Sequence, residues 1–374
     1  MKTSRASQRL DYIDGLRGLA VVGMFLAHTP AAWGNAQVTS GIYAQIISWF
    51  SGLVAPVFMT LAGVSMAFVA KKAAHRPASA FRTRLLWRGL SLVLIGYAFE
   101  ASFWVFSGMR GDPMRIFKVN ILPGIGASML LLAPLLHARR PFFLRSLAAA
   151  VFLVLGAQIT WRLSPPTGVP AALWGYLAKG DTSLFPLFPY AGWVAFGMAL
   201  GDRWPSLDAP TPAQERFTRR LLRVAALLFV LALGLKGLVV LFRLDQIGLS
   251  PGQLPPATTV QMFALKMGIT LLLLAGARRL SESFSRHRFG LRPLVWMGRT
   301  SLFAYIVHLW IIHWVARAGL REKLGIPAHL LSVLLLGVAM VALCYFWDRH
   351  PSRSWWPRLK RVRLLRFSPR SEME

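Results

Sequence analysis

The sequence predicts an all-α integral membrane protein, a polytopic bundle of about ten transmembrane helices with both termini in the cytoplasm. Three observations carry this. The first is composition: 55% of the 374 residues are hydrophobic and the mean hydropathy is +0.50, more apolar than a soluble domain with a polar surface. The second is pattern. The apolar residues come in continuous runs of about 20, the length that crosses a hydrocarbon core of roughly 30 Å as a helix. They lack the alternation of barrel strands. The third is charge. A formal net charge of +29 would point to nucleic acid in a soluble protein. Here the cations gather in every second loop, so they read as topology, and no nucleic-acid partner is expected.

The predicted spans run, in order, over 13–32, 46–69, 86–106, 119–136, 143–163, 185–201, 221–242, 258–277, 294–316 and 330–347. The first follows a segment with Lys2, Arg5 and Arg9 but no clear small-residue cleavage site, so it is read as a retained helix. The second carries Leu61-Ala62-Gly63-Val64-Ser65 and the fourth Gly124-Ile125-Gly126-Ala127-Ser128, small-residue stretches that suit close helix packing better than phosphate binding. Pro56 and Pro189 lie near span ends, where they kink helices around a cavity. The region of the fifth and sixth spans is broken up by Pro165, Pro166, Pro170, Pro186 and Pro189. The seventh to tenth are continuous apolar runs, the tenth holding the single cysteine, Cys344. One cysteine excludes an intrachain disulfide and a cysteine metal cluster, and no metal site is expected.

The N-terminal segment, the even-numbered loops and the tail hold roughly three times the cations of the alternate loops, which puts both termini in the cytoplasm and agrees with an even number of spans. Residues 1–348 read as one transmembrane domain and 349–374 as a basic tail. That tail either enforces topology or binds anionic headgroups, at about 1 kcal/mol per cation near the surface.

Ionisable groups inside spans are costly and therefore candidates for function. They are Asp14, Arg17, His28, Glu100, Lys236, Lys266, Arg299, His308 and His313. Asp14 reads as an N-cap, and its three-residue spacing places it on the helix face of Arg17. His28 lies about 16 Å further along the same helix. Glu100, the only carboxylate deep in a span, falls at a similar estimated depth. It either pairs with His28, orienting an imidazole as a general base, or forms a structural salt bridge to Lys236. The ninth span repeats the layout of the first, with Arg299 near the inner face and His308 about 13 Å deeper. An inner layer of arginine suits an anionic ligand arriving from the cytoplasm; an outer layer of histidine suits proton transfer.

At these residues the chain resembles a known superfamily. The opening Arg9-Leu10-Asp11-Tyr12-Ile13-Asp14-Gly15-Leu16-Arg17-Gly18-Leu19-Ala20, with Met24 and His28, is similar to the start of the transmembrane acyltransferases. Ala55-Pro56-Val57-Phe58-Met59-Thr60-Leu61-Ala62-Gly63-Val64-Ser65 resembles the second-span signature of the bacterial heparan-alpha-glucosaminide N-acetyltransferase-like branch, and Phe188-Pro189-Tyr190-Ala191-Gly192-Trp193 with Gly197-Met198-Ala199-Leu200-Gly201 its middle motif. Gly298-Arg299-Thr300-Ser301-Leu302-Phe303-Ala304-Tyr305-Ile306-Val307-His308 resembles a late motif shared with the acyltransferase-3 family.

The resemblance implies a multi-pass enzyme of the bacterial inner membrane. It implies transfer of an acyl group, acetyl above all, from cytoplasmic acyl-coenzyme A to a hydroxyl or amine of a glycan or other acceptor on the far side. Acyl-coenzyme A is then a donor substrate and not a resident cofactor; the other expected partners are membrane lipids and a carbohydrate. Arg17, Arg299 and Asp14 would form the coenzyme site, with His28, Glu100 and His308 as catalytic candidates. The chain departs from the heparan-type pattern in one place: Ser7-Gln8-Arg9 lacks the histidine that precedes the opening motif there, which leaves His28 to serve. The rival reading is a carrier of an anionic solute. It explains the intramembrane charges, but the sequence lacks the matched halves with interrupted helices that inverted repeats give.

Overall fold

The computed structural model describes residues 11–73, 78–136, 141–178, 180–205, 211–241, 260–284 and 291–350. The basic tail, apart from Arg349 and His350, lies outside them. Among the described residues the secondary structure is helical, with three isolated bridges and no strand. The principal helices are α1 (Asp11–Trp33), α2 (Gly41–Lys72), α3 (Ala78–Phe106), α4 (Ile121–Leu132), α5 (Phe143–Thr160), α6 (Leu187–Arg203), α7 (Thr211–Leu241), α8 (Val260–Phe284), α9 (Arg292–Arg299), α10 (Ser301–Val315) and α11 (Ile326–Arg349). Each predicted span falls on one of them, α9 and α10 together forming the ninth with a break at Thr300.

Among the described residues, seven segments are long and apolar enough to cross a membrane; they lie in α2, α3, α5, α7, α8, α10 with its extension to Leu320, and α11. The other three predicted spans differ in composition or length. Helix α1 carries Asp11, Asp14 and Arg17, while α4 has 12 residues and α6 has 17. Observed helices also overrun the predicted spans at their polar ends. Helix α3 begins at Ala78 and α7 at Thr211, because cationic side chains prolong a helix readily where they reach water.

Side-chain contacts show that the helix ends alternate. Trp204, just after α6, packs on Tyr12 of α1 and Phe217 of α7. Arg203 of α6 lies over Phe143 of α5, and Lys71 of α2 donates to the Trp204 carbonyl at 3.0 Å. Arg82 of α3 reaches the Leu136 carbonyl after α4, Arg278 of α8 donates to Thr218 of α7, and Trp296 of α9 meets Tyr345 of α11. All these contacts share one end of the bundle, termed here the basic end. At the far end, Trp33 of α1 donates to the Ile312 carbonyl of α10, and Thr29 and Tyr43 meet His329 of α11.

Glycine sets the closest approaches. A Cβ on Gly298 would lie 1.7 Å from the Asp14 carbonyl oxygen, and one on Gly18 would lie 1.9 Å from that of Leu294, so α1 and α9 touch backbone to backbone. Gly63 and Gly197 do the same between α2 and α6, at 1.9 Å from the Val194 oxygen and 2.1 Å from the Thr60 oxygen. The small-residue runs of spans two and four are therefore packing surfaces, as the sequence suggests; Gly126 of α4 likewise meets Gly89 of α3. By contrast, Val230, Leu233 and Val240 of α7 and Leu334, Leu335 and Val338 of α11 are exposed, an arrangement suited to lipid and costly in water.

Candidate functional site

The backbone contact between α1 and α9 brings together the two arginines that the sequence singles out. Arg17 donates to Asp14 at 2.8 Å and to the Ser65 hydroxyl of α2 at 2.5 Å. Ser65 gives its own proton to the Leu61 carbonyl, which leaves an oxygen lone pair facing the guanidinium. Arg299 bonds Asp11 at 2.5 Å and lies 3.7 Å from Asp14. Asp14 is not an N-cap, because the helix is already formed at Asp11; its carboxylate instead sits between two arginines.

Two members of this cluster escape the sequence reading. Asp11 pairs with a residue 288 positions away, a link that no local spacing encodes. Arg88 of α3 lies within electrostatic reach of Arg17 and has no carboxylate partner among the described residues. The position of Arg88 in a basic run hides it as one topology charge among many. Three arginines against two aspartates leave the cluster with an excess positive charge.

About 16 Å along α1 from Arg17, His28 comes to the face of α10. Its ring centroid is 5.6 Å from that of His308. The two histidines differ in setting. His308 is fully buried, packed on Phe25 and Tyr305 at 5.4 and 5.9 Å. Its Nδ1 donates to the Ala304 carbonyl at 2.7 Å, which fixes the tautomer and leaves Nε2 as an acceptor. That Nε2 is buried without a hydrogen-bond partner. His28 instead keeps an exposed face. His313, one turn beyond His308, donates its Nδ1 to the Leu309 carbonyl at 2.9 Å and acts electrostatically on His28.

Glu100 is half-buried near this group, but its hydrogen-bond donor is the Asn120 side chain, not His28. The alternative salt bridge to Lys236 is not formed either, and Lys236 is exposed on α7. Lys266 of α8 places its Nζ against Gly52 of α2. The structure thus brings Arg17, Arg299 and Asp14 into one cluster and His28 with His308 into another. Glu100 stands beside the second, held by an amide that a search for charged residues passes over. Among the described residues, no three His, Cys, Asp or Glu side chains converge to hold a metal.

A third feature missed in the sequence is His329, also fully buried. Thr29 gives its proton to the Phe25 carbonyl at 2.7 Å, so it accepts from His329 Nε2 at 2.9 Å. Nδ1 then accepts from the Tyr43 hydroxyl at 2.8 Å. This chain ties the residue next to His28 to α2 and α11. It is invisible in the sequence because His329 stands outside the tenth apolar run.

Two family models match the chain. One, for heparan-alpha-glucosaminide N-acetyltransferase, catalytic, covers residues 9–228. The other, for a protein of unknown function (DUF418), covers residues 211–353. Among curated proteins nothing matches. The first model takes in more than half of the chain, including Asp11, Asp14, Arg17, His28, Arg88 and Glu100; the second takes in Arg299, His308 and His329. With the helical fold and seven apolar helices of membrane-crossing length among the described residues, and with this match, the chain belongs to the family of the catalytic domain of heparan-alpha-glucosaminide N-acetyltransferase, a family of membrane acetyltransferases.

Proposed function

We propose that the protein is a bacterial inner-membrane acyltransferase that takes an acetyl group from cytoplasmic acetyl-coenzyme A and passes it to a hydroxyl or amine of a glycan at the opposite face. All ten predicted spans cross the bilayer in this reading, and the basic end faces the cytoplasm, where the positive-inside rule places it. The observation that carries the reading is the separation of two clusters along one helix: an arginine cluster at the basic end and a histidine pair about 16 Å deeper.

At the basic end, Arg88 offers the phosphates of coenzyme A a cation with no carboxylate to displace. Arg17 and Arg299 are held in place by Asp14 and Asp11 until the ligand competes for them. Guanidinium suits this task because it binds phosphate in a bidentate way. The two clusters then set the distance that the pantetheine arm spans. At the histidine pair, the acceptor proton passes to an imidazole nitrogen as the acceptor oxygen or nitrogen attacks the thioester carbonyl. The carbon–sulfur bond breaks, and the coenzyme A thiolate leaves and takes a proton. His28 has the open face that an acceptor needs. His308 supports it from the buried side, with Nε2 free of any other bond. Glu100, fixed by Asn120, offsets the positive charge that develops on the imidazole. General base catalysis contributes about 10²–10⁴-fold, with the remainder supplied by positioning donor and acceptor together.

The test is release of free coenzyme A by the purified protein in proteoliposomes given acetyl-coenzyme A and a panel of glycans. Turnover that requires an acceptor supports the reading. Solute flux with no release of coenzyme A would establish the carrier instead. Reporter fusions at Ala36 and Gly248 should read outside and those at Ala78 and Ser283 inside; an inside signal at Ala36 overturns the orientation.

A further inference from the structure

A cavity of about 280 Å³ opens at the far end, beside the histidines. That is room for roughly nine waters, and so for one sugar ring with a small substituent. Its wall combines aromatic side chains, among them Phe103, Trp104, Trp310 and Trp314, with Glu100, His313 and three arginines, Arg110, Arg115 and Arg317.

The arginines are placed there by ordered local structure. Arg110 sits in a tight turn in which Gly108, Met109 and Gly111 all take positive φ. Arg115 follows in a short 3₁₀ turn, Pro113–Phe117, whose N-cap Asp112 accepts from the Met114 N–H at 2.9 Å. Asp112 is thereby committed to the backbone, and neither Arg110 nor Arg115 has a carboxylate partner among the described residues. Arg317, past the end of α10, donates to the Phe106 carbonyl at the end of α3 and so closes the cavity between the two helices. Phe103 stacks on Trp310 at 4.8 Å and packs against His313 at 4.3 Å, presenting a continuous aromatic wall.

From charge and shape together, we propose that this cavity binds a phosphorylated sugar, the ring lying against Trp310 and Trp314 and the phosphate between Arg110, Arg115 and Arg317. Three arginines against Glu100 leave a net charge of +2, which matches a phosphate carrying about −1.5 to −2 at neutral pH better than a single carboxylate. Aromatic and arginine residues also gather at membrane interfaces without binding anything. Such a belt lies around the perimeter, whereas here the cations ring one concavity that also contains a carboxylate and an imidazole. Trp310, His313, Trp314 and Arg317 lie in the stretch matched only by the family of unknown function, so the acetyltransferase match says nothing of a third of the wall. The proposal rests on the far end being the acceptor side.

The experiment measures equilibrium binding of radiolabelled glucose 1-phosphate to the full-length protein, without acyl-coenzyme A, against glucose and inorganic phosphate. Saturable binding of glucose 1-phosphate, tighter than either competitor, is expected. Arg110→Gln and Arg115→Gln should each weaken it roughly tenfold, the scale of one lost charge-assisted hydrogen bond, and Trp310→Ala should weaken glucose 1-phosphate more than inorganic phosphate. Both arginines are exposed, so these variants leave the fold intact. Repeating the measurement in nanodiscs with and without phosphatidylglycerol separates the two sources of phosphate. Suppression by that lipid assigns the site to a lipid-borne phosphate, and indifference assigns it to a soluble one. Equal affinity for glucose, or unchanged affinity in both arginine variants, overturns the proposal. Because no acetyl donor is present, failure of the transfer reading would leave this binding intact. Transfer to neutral sugars that is unaffected by the arginine variants would remove the cavity from the account and keep the enzyme.

Discussion

The two ends of α1 solve opposite problems. At the basic end the charges are paired at short range, Arg17 with Asp14 and Ser65, Arg299 with Asp11, on a backbone contact so close that glycine is required. At the far end there is no ion pair between the histidines and Glu100; a buried imidazole nitrogen is left without a partner and the surroundings are aromatic. A paired cluster holds its geometry before a ligand arrives and still has an excess cation in Arg88. An unpartnered buried nitrogen costs stability, about 1–3 kcal/mol for a lost partner, and such a cost is commonly met at sites that do chemistry. In the proposed reading, this contrast gives anchoring to one end and proton transfer to the other.

The comparison breaks most completely at the glycine contact. Gly298→Val should abolish accumulation of folded protein, because a side chain there runs into the Asp14 carbonyl. Gly276→Ala, where nothing lies within 4 Å of the added carbon, should leave it unchanged. Detergent extraction followed by size-exclusion chromatography reads both. Next in size, His308→Ala should lower turnover, but by less than the roughly 10²-fold or more expected on loss of the base His28, while coenzyme A binding persists. Loss of binding in that variant would merge the two clusters into one.

These predictions rest on features of unequal visibility in the sequence. The helices are legible because runs of about 20 apolar residues stand out in a sequence, and each predicted run falls on a helix, though only seven of the described helices are both long and apolar enough to cross a membrane. Arg17, Arg299, His28 and His308 are legible because charge inside an apolar run is conspicuous. Their grouping is legible only as estimated depth. Which aspartate meets which arginine depends on how α1 crosses α9, a tertiary fact set by Gly18 and Gly298. Asn120 escapes notice because it is neutral, and His329 because it stands at the start of a helix outside the apolar run. The three less apolar or shorter helices, α1, α4 and α6, mark the limit of hydropathy alone: they lie among other helices and need less apolar surface than helices bathed in lipid.

Smaller effects sharpen the division. Arg88→Gln should weaken coenzyme A binding roughly tenfold, by loss of one charge-assisted contact, with little change in turnover at saturating donor. His329→Phe should remove the bonds to Thr29 and Tyr43, costing about 1–3 kcal/mol; a lowered Tm with coenzyme A binding intact is the expected signature.

The most direct test sets His28→Ala beside Arg299→Ala in proteoliposomes. Coenzyme A release with acetyl-coenzyme A and an acceptor is measured together with equilibrium binding of coenzyme A. The account predicts that His28→Ala binds coenzyme A normally and releases none by transfer, whereas Arg299→Ala binds weakly and recovers turnover as donor concentration rises. Robust release by His28→Ala would contradict it and pass the role of base to His308.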